Sequence, residues 1–302
     1  MKVLLERFCW CLIFSSIAVV GCLPKDTRPP PESLLVTASA SDAVLNGIAS
    51  SATEDGWSIS YDRLLICIGD VSLDGSNCST YSEASYSRVL DMSTAGPQKV
   101  NESFALGQCD FGFGLVNPAD DSLSGSGVST SDVVFMRTAG TDKYAGPSGT
   151  SIFVQGHADR AGATKTFSWA FRQQLRFRDC RQSADPSSMH GVLLAENAAS
   201  TLNLVVRGEA LFQDNTDLSL AKLRFDPIAA ADSVSGNDDG DVSLDELAAV
   251  PLASLASTGG YPASGSSAAA QTLEDYIYLS SFPAVLNFGD SGACTISIGR
   301  ED

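Results

Sequence analysis

Histidine is almost missing from this chain: 302 residues contain only His157 and His190. Two imidazoles in unrelated contexts make no His-Glu-x-x-His and no other His-rich zinc set. Cations are scarce as well, with 19 Lys and Arg against 36 Asp and Glu, a formal charge of −17 and a pI near 4.3. Contact with phosphate backbones needs clustered Lys and Arg, so nucleic acid is excluded as a partner, and so is electrostatic adhesion to anionic lipid. There is no Gly-rich phosphate loop, no dinucleotide fingerprint and no Cys-x-x-Cys pair. Beyond the first 20 residues the apolar runs are short and interrupted, which predicts no further membrane-spanning helix. A 44% hydrophobic fraction is nevertheless ordinary for a chain that builds a core.

The N-terminus reads as a targeting segment. Lys2 and Arg7 give it positive charge, and Phe8 to Val20 form an apolar run too short for a comfortable span. It ends Val19-Val20-Gly21-Cys22, which resembles the signal of bacterial lipoproteins. The resemblance implies cleavage before Cys22, acylation of that residue and a membrane anchor of two or more acyl chains. Leu23 follows in place of Asp; by resemblance to enterobacterial lipoproteins this favours the outer membrane. Residues 22–35 are then the lipidated Cys and a Pro-rich tether of about 3 Å per residue. An exported location implies oxidised cysteines. Besides Cys22, and with Cys9 and Cys11 lost with the signal, five remain: Cys67, Cys78, Cys109, Cys180 and Cys294. Cys67 lies inside the apolar run Leu64–Ile68 and reads as a buried free thiol. Four cysteines allow three connectivities, and the pairing adopted is Cys78–Cys109 with Cys180–Cys294.

Period-two alternation dominates the middle of the chain. Phe167, Trp169, Phe171, Leu175 and Phe177 share one parity, with Thr166, Ser168, Arg172, Gln174, Arg176 and Arg178 on the other, so one long strand is expected from Thr166 to Cys180. Weaker strand signals are Trp57–Val71, Ser87–Met92, Lys99–Ala105, Cys109–Val116, Ser131–Met136, Ser151–His157, Gly191–Ala195 and Leu202–Arg207. Short turn clusters between them point to an antiparallel β-sandwich over residues 36–210. Asn117–Thr130 is a Gly/Ser/Asp-rich loop of the kind that binds ligands. Residues 211–302 read as helical pieces and a tail packed on the sandwich. A short helix follows Asp226-Pro227, another is expected over Leu244–Val250, and a last one over Thr272–Leu279.

One stretch specifies chemistry. In Ser235-Gly-Asn-Asp-Asp-Gly-Asp-Val-Ser-Leu-Asp-Glu246 the spacing resembles an EF-hand calcium loop, whose ligands stand at positions 1, 3, 5, 7, 9 and 12 around a Gly at 6. With Gly240 at position 6, Asn237, Asp239, Asp241 (through its carbonyl), Ser243 and Glu246 fall on ligand positions. Position 1 holds Ser235 where the pattern has Asp, and Asp232 stands three residues back; either supplies the first oxygen. Ser243-x-x-Glu246 is also a helix capping box. Asp70–Asp74 repeats Asp241–Asp245 letter for letter, yet Ile66 and Ile68 occupy its ligand positions, so that echo carries no site.

No catalytic constellation assembles. Gly289-Asp290-Ser291-Gly292 resembles the nucleophile motif of chymotrypsin-like proteases, but neither histidine lies in that family's His motif. Asp110-Phe111-Gly112 lacks the other kinase motifs. Arg172, Arg176, Arg178 and Arg181 are expected to face carboxylates on neighbouring strands. The chain as a whole resembles uncharacterised EF-hand-containing envelope lipoproteins of Gram-negative bacteria. That resemblance implies a non-enzymatic, mostly β, disulfide-stapled protein with a C-terminal EF-hand-like helical segment, anchored to the membrane through Cys22 and holding one structural Ca2+. The alternative is a calcium-assisted surface module that binds a glycan or a partner protein through Asn117–Thr130.

Overall fold

The architecture follows from strands that are longer than one partner can cover. The structure, a computed structural model, describes residues 29–81, 86–138, 149–183, 185, 187–255, 260–261 and 270–299. The expected signal segment, Cys22 and most of the tether lie outside them. In chain order the strands are β1 (Glu32–Ala40), β2 (Ser58–Asp74), β3 (Cys78–Thr80), β4 (Arg88–Asp91), β5 (Gln98–Leu115), β6 (Leu123–Ser124), β7 (Ile152–Arg160), β8 (Ala163–Phe171), β9 (Leu175–Arg181), β10 (Val192–Leu194), β11 (Ala199–Val206), β12 (Asp241–Val242), β13 (Leu286–Phe288) and β14 (Ala293–Ile298). The helices are short: α1 (Asp42–Asn46), α2 (Thr130–Thr138), α3 (Asp226–Ala230), α4 (Leu244–Ala248), α5 (Leu252–Leu255) and α6 (Leu273–Tyr276).

Strand predominates, and the strands join in one curled sheet whose main path is β12-β8-β7-β2-β5-β1-β11-β13. β5 makes the curl. Its first part, Gln98–Ala105, pairs with β1, whereas Asp110–Leu115 pairs with β2. Between them sits Gly107 at φ 103°, where a Cβ would lie 2.1 Å from the Asn77 carbonyl oxygen. Only glycine fits that conformation and that approach. The concave side is filled by aromatic rings. Phe167, Trp169, Phe171, Phe177, Phe212 and Phe225 are all at or below 1% exposure, and Phe113 stacks on Phe177 at 4.5 Å.

Five expectations need correction. The sheet is mixed, because β1–β11, β4–β6 and β8–β12 are parallel pairs. The stretch Thr166–Cys180 is two strands: β8 pairs with β7, then after residues 172–174 β9 leaves for β5 and β14. Its alternation persists across the break because both halves face the same core. Lys99–Ala105 and Cys109–Val116 belong to the single strand β5. Ser131–Met136 is helical, within α2. There Ser129 and Asp132 bond each other reciprocally as a capping box, which outweighs the strand preference of Val133, Val134 and Phe135. Finally, β1 begins at Glu32 inside the stretch read as tether, with Leu34, Val36 and Ala38 buried on one parity.

Disulfides join Cys78 to Cys109 and Cys180 to Cys294, the two pairs adopted from the sequence, and Cys67 is buried and belongs to neither disulfide. The first clips β3 onto β5 beside the Gly107 bend, and the second ties β14 to β9. Their sequence separations are 31 and 114 residues. On loop-closure entropy alone, opening Cys180–Cys294 by paired Cys→Ser substitution therefore costs about 1 kcal/mol more than opening Cys78–Cys109. Urea denaturation of the two double variants, compared at equal m, checks this difference.

Candidate calcium loop

The loop that resembles an EF-hand hangs from the core at both ends. Upstream, the carboxylate of Asp55 accepts the N–H groups of Phe225 and Asp226, and the Trp57 indole donates to Asp226 at 2.9 Å, which fixes the start of α3. α3 runs into a wide π-helical turn, Ala231–Ser235. Downstream, Val242 is fully buried, and its carbonyl accepts the Trp169 indole N–H at 2.7 Å. Asp241 and Val242 form β12 beside Thr166 and Phe167 of β8, and Thr166 donates from its N–H to the Gly240 carbonyl.

Within that frame, two carboxylates enter from opposite sides. Asp232 is completely buried; its Oδ1 accepts Asp239 N–H at 3.0 Å and its Oδ2 accepts Gly240 N–H at 3.1 Å. Its own carbonyl takes the N–H groups of Gly236 and Asp238. The π turn thus lets a residue three places early reach across to positions 5 and 6 of the loop. Ser235 is exposed on the outside of this turn. From the other side, Glu246 accepts Asn237 N–H at 3.2 Å and Ser243 N–H at 2.9 Å, while Ser243 Oγ caps α4. Between them Asn237 and Asp239 hold each other and Asp241 N–H in successive Asx turns. Asp238 and Gly240 supply the left-handed steps, at φ 55° and 91°. Asp241 turns its carboxylate outward to the Thr166 hydroxyl.

Sequence reasoning missed two members. Gly236 leaves room for Glu246, whose Oε1 would lie 2.1 Å from a Cβ at that position. Lys165, at the start of β8, sends its ammonium onto Asp232 Oδ2 and within 3.4 Å of Asp238. Burial pushes the Asp232 carboxyl upward, but the Lys165 hydrogen bond and charge, with the two backbone N–H donors, outweigh it and hold the group below the usual carboxylate range. The Asp232 bond in turn raises Lys165 above its ordinary value. No signal marked Lys165 in advance, because it is 67 residues away in sequence.

The remaining candidates stay apart. His157 lies on β7 with Asp62 at 3.3 Å and Asp159 at 3.7 Å, and the main chain of His190 pairs with that of Arg181 in an isolated antiparallel bridge. Arg178 of β9 reaches Asp74 of β2 at 3.8 Å. Asn117, at the head of the loop read as a binding segment, is buried. Among the described residues no three acid, His or Cys side chains converge on one point. As it stands, the cation on Asp232 is an ammonium.

Removing one partner of a buried ion pair leaves the other uncompensated, at a cost of about 3 kcal/mol or more. Lys165→Met is therefore expected to lower stability by about 3 kcal/mol in chelator-treated buffer, and adding Asp232→Asn recovers part of that loss. A denaturation cycle over the four proteins measures the coupling. A scan of protein-family models, a search of curated proteins and a search of solved structures each find no match to this chain.

Proposed function

We propose that the protein is a non-enzymatic, lipid-anchored component of a bacterial cell envelope, with one structural calcium site in the loop from Asp232 to Glu246. The observation that carries the reading is the reach of Asp232 and Glu246 into one Gly-turned loop from its two ends. Calcium takes six to eight oxygens at about 2.3–2.6 Å in flexible geometry. The side chains of Asp232, Asn237, Asp239, Ser243 and Glu246 and the carbonyl of Asp241 are the oxygens this loop offers, and the donor set suits a hard cation. Binding requires Lys165 to leave Asp232, and Asn237 and Asp239 to exchange their mutual hydrogen bonds for the metal. Such competition favours weak affinity, in the range of about 10⁻⁴–10⁻³ M typical of extracellular modules. An ion that binds only the folded chain adds about 2.7 kcal/mol when present at about a hundred times its dissociation constant. The role is structural, since α4 and β12 are both held by the loop.

Calorimetric titration of the detergent-solubilised protein is expected to show one calcium ion bound, with a higher melting temperature in calcium than in chelator. Glu246→Gln abolishes both effects, and Lys165→Met binds calcium at least tenfold more tightly than the parent. No heat and no melting shift up to about 10 mM calcium in either the parent or Lys165→Met would reject the site.

The anchor has its own test. Mass spectrometry of the N-terminal peptide from cells is expected to show Cys22 as the first residue, carrying a diacylglyceryl group. Cys22→Ser leaves an uncleaved, unlipidated precursor. An unmodified N-terminus at any other position would place the protein outside the lipoprotein class.

A further inference from the structure

The ladder at one side of the curled sheet stops short. β11 pairs with β1 along its whole length, but β13 covers only Leu204–Val206. The Asn203 carbonyl accepts Gly289 N–H, and Arg207 N–H donates to Val285, so the odd-numbered residues of β11 turn their main chain toward β13. Thr201 and Ala199 share that parity. Past Gly289 the chain turns away at Asp290, and among the described residues no main chain lies beside Ala199–Asn203 on that side.

The layer beneath this edge thins at the same place. On the core face of β11, Leu204 and Val206 are fully buried, whereas Ser200 and Leu202 are only half-buried. A cavity of about 360 Å³ opens there, bounded by Leu34, Leu202, Val192, Leu193, Met189 and Phe288. Leu193 and Met189, at 60% and 41% exposure, form an apolar lip. Asp290, which lines the same cavity, is exposed and pairs with no cation among the described residues.

We propose that this groove binds an extended, cationic polypeptide segment of a partner protein. The segment adds as a strand antiparallel to β11, in the line that β13 abandons. It places alternate apolar side chains in the cavity and a Lys or Arg against Asp290. Three features choose this occupant. The N–H and C=O groups of Ala199 and Thr201, unpaired on this side among the described residues, recur at strand spacing, which matches a peptide backbone and not an acyl chain or a sugar ring. The cavity beside the edge, about half of whose lining residues are apolar, offers room for alternate side chains, as strand addition requires. The charge of −17 and the exposed carboxylate of Asp290 favour a cationic partner and oppose a second copy of this chain. An open edge of this kind otherwise invites unspecific pairing, and that carboxylate selects what pairs.

The test pans a displayed library of random nonapeptides on the full-length protein in detergent micelles, in chelator so that the calcium site plays no part, with Leu193→Glu as counter-target. Leu193 and Asp290 are exposed, so variants there are expected to keep the parent melting temperature. Enriched peptides are expected to alternate apolar residues and to carry Lys or Arg near one end. In fluorescence anisotropy, Leu193→Glu weakens a synthesised hit at least tenfold and Asp290→Asn about fivefold. N-methylation of amides at one parity of the hit abolishes binding, and at the other parity it is tolerated. No enrichment over Leu193→Glu, or hits indifferent to N-methylation at both parities, overturns the proposal. Enriched peptides that lack cations and ignore Asp290→Asn overturn it as well.

Discussion

A fully buried indole hydrogen bond anchors the protein's most distinctive loop to its core. Trp169 is fully buried on β8, and an indole N–H removed from water needs an acceptor. It finds the Val242 carbonyl, in a residue that is itself fully buried. Around that bond Phe167, Phe171 and Phe212 pack against the same indole, with ring centroids 5.0–6.3 Å apart. The position of β12 is therefore set by the interior, and the loop before it has to close over a fixed distance between α3 and β12. Gly236, Asp238 and Gly240 are the residues that make so tight a closure possible.

The acidity of the chain acquires a spatial meaning in this frame. Most acidic groups are solvated and repel one another weakly at physiological salt. Asp232 is different because it is buried, and a buried carboxylate without compensation is costly. The fold compensates it with two backbone N–H groups and one ammonium. Asp214 repeats the solution elsewhere: nearly buried, it accepts Lys222 N–H and pairs with Arg224 at 2.5 Å. In a chain with few cations, those at these two sites neutralise carboxylates that water cannot reach.

How far the sequence disclosed this depended on the range of the interaction responsible. Burial parity along β8 and β9 was legible because alternation is local, and the Ser243–Glu246 box was legible because a cap spans four residues. The helical state of α2 was equally available in Ser129-x-x-Asp132 but was masked by the β-branched pair Val133-Val134. The curl at Gly107, the parallel partnership of β1 with β11, and the break between β8 and β9 depend on contacts across the sheet, which no local pattern encodes. The same holds for the candidate sites. The acidic loop announces itself by spacing, whereas the place of Lys165, and the edge of β11 that no described strand covers, emerge only once distant segments are brought together.

The meeting of Lys165 with Asp232 bears on why a loop of this form departs from the EF-hand pattern at its first position. Moving the leading carboxylate back three residues, onto a π turn, buries it against the sheet instead of leaving it at the loop's rim. Burial then demands a cation, because an uncompensated carboxylate in the interior is costly. An ammonium tethered on β8 meets that demand at a high effective concentration, independent of the surroundings. On the proposed reading, a divalent ion would displace that ammonium only at high concentration or with good ligands elsewhere in the loop. On that calcium reading, the arrangement pairs weak affinity with a loop whose buried carboxylate is already compensated before any ion arrives.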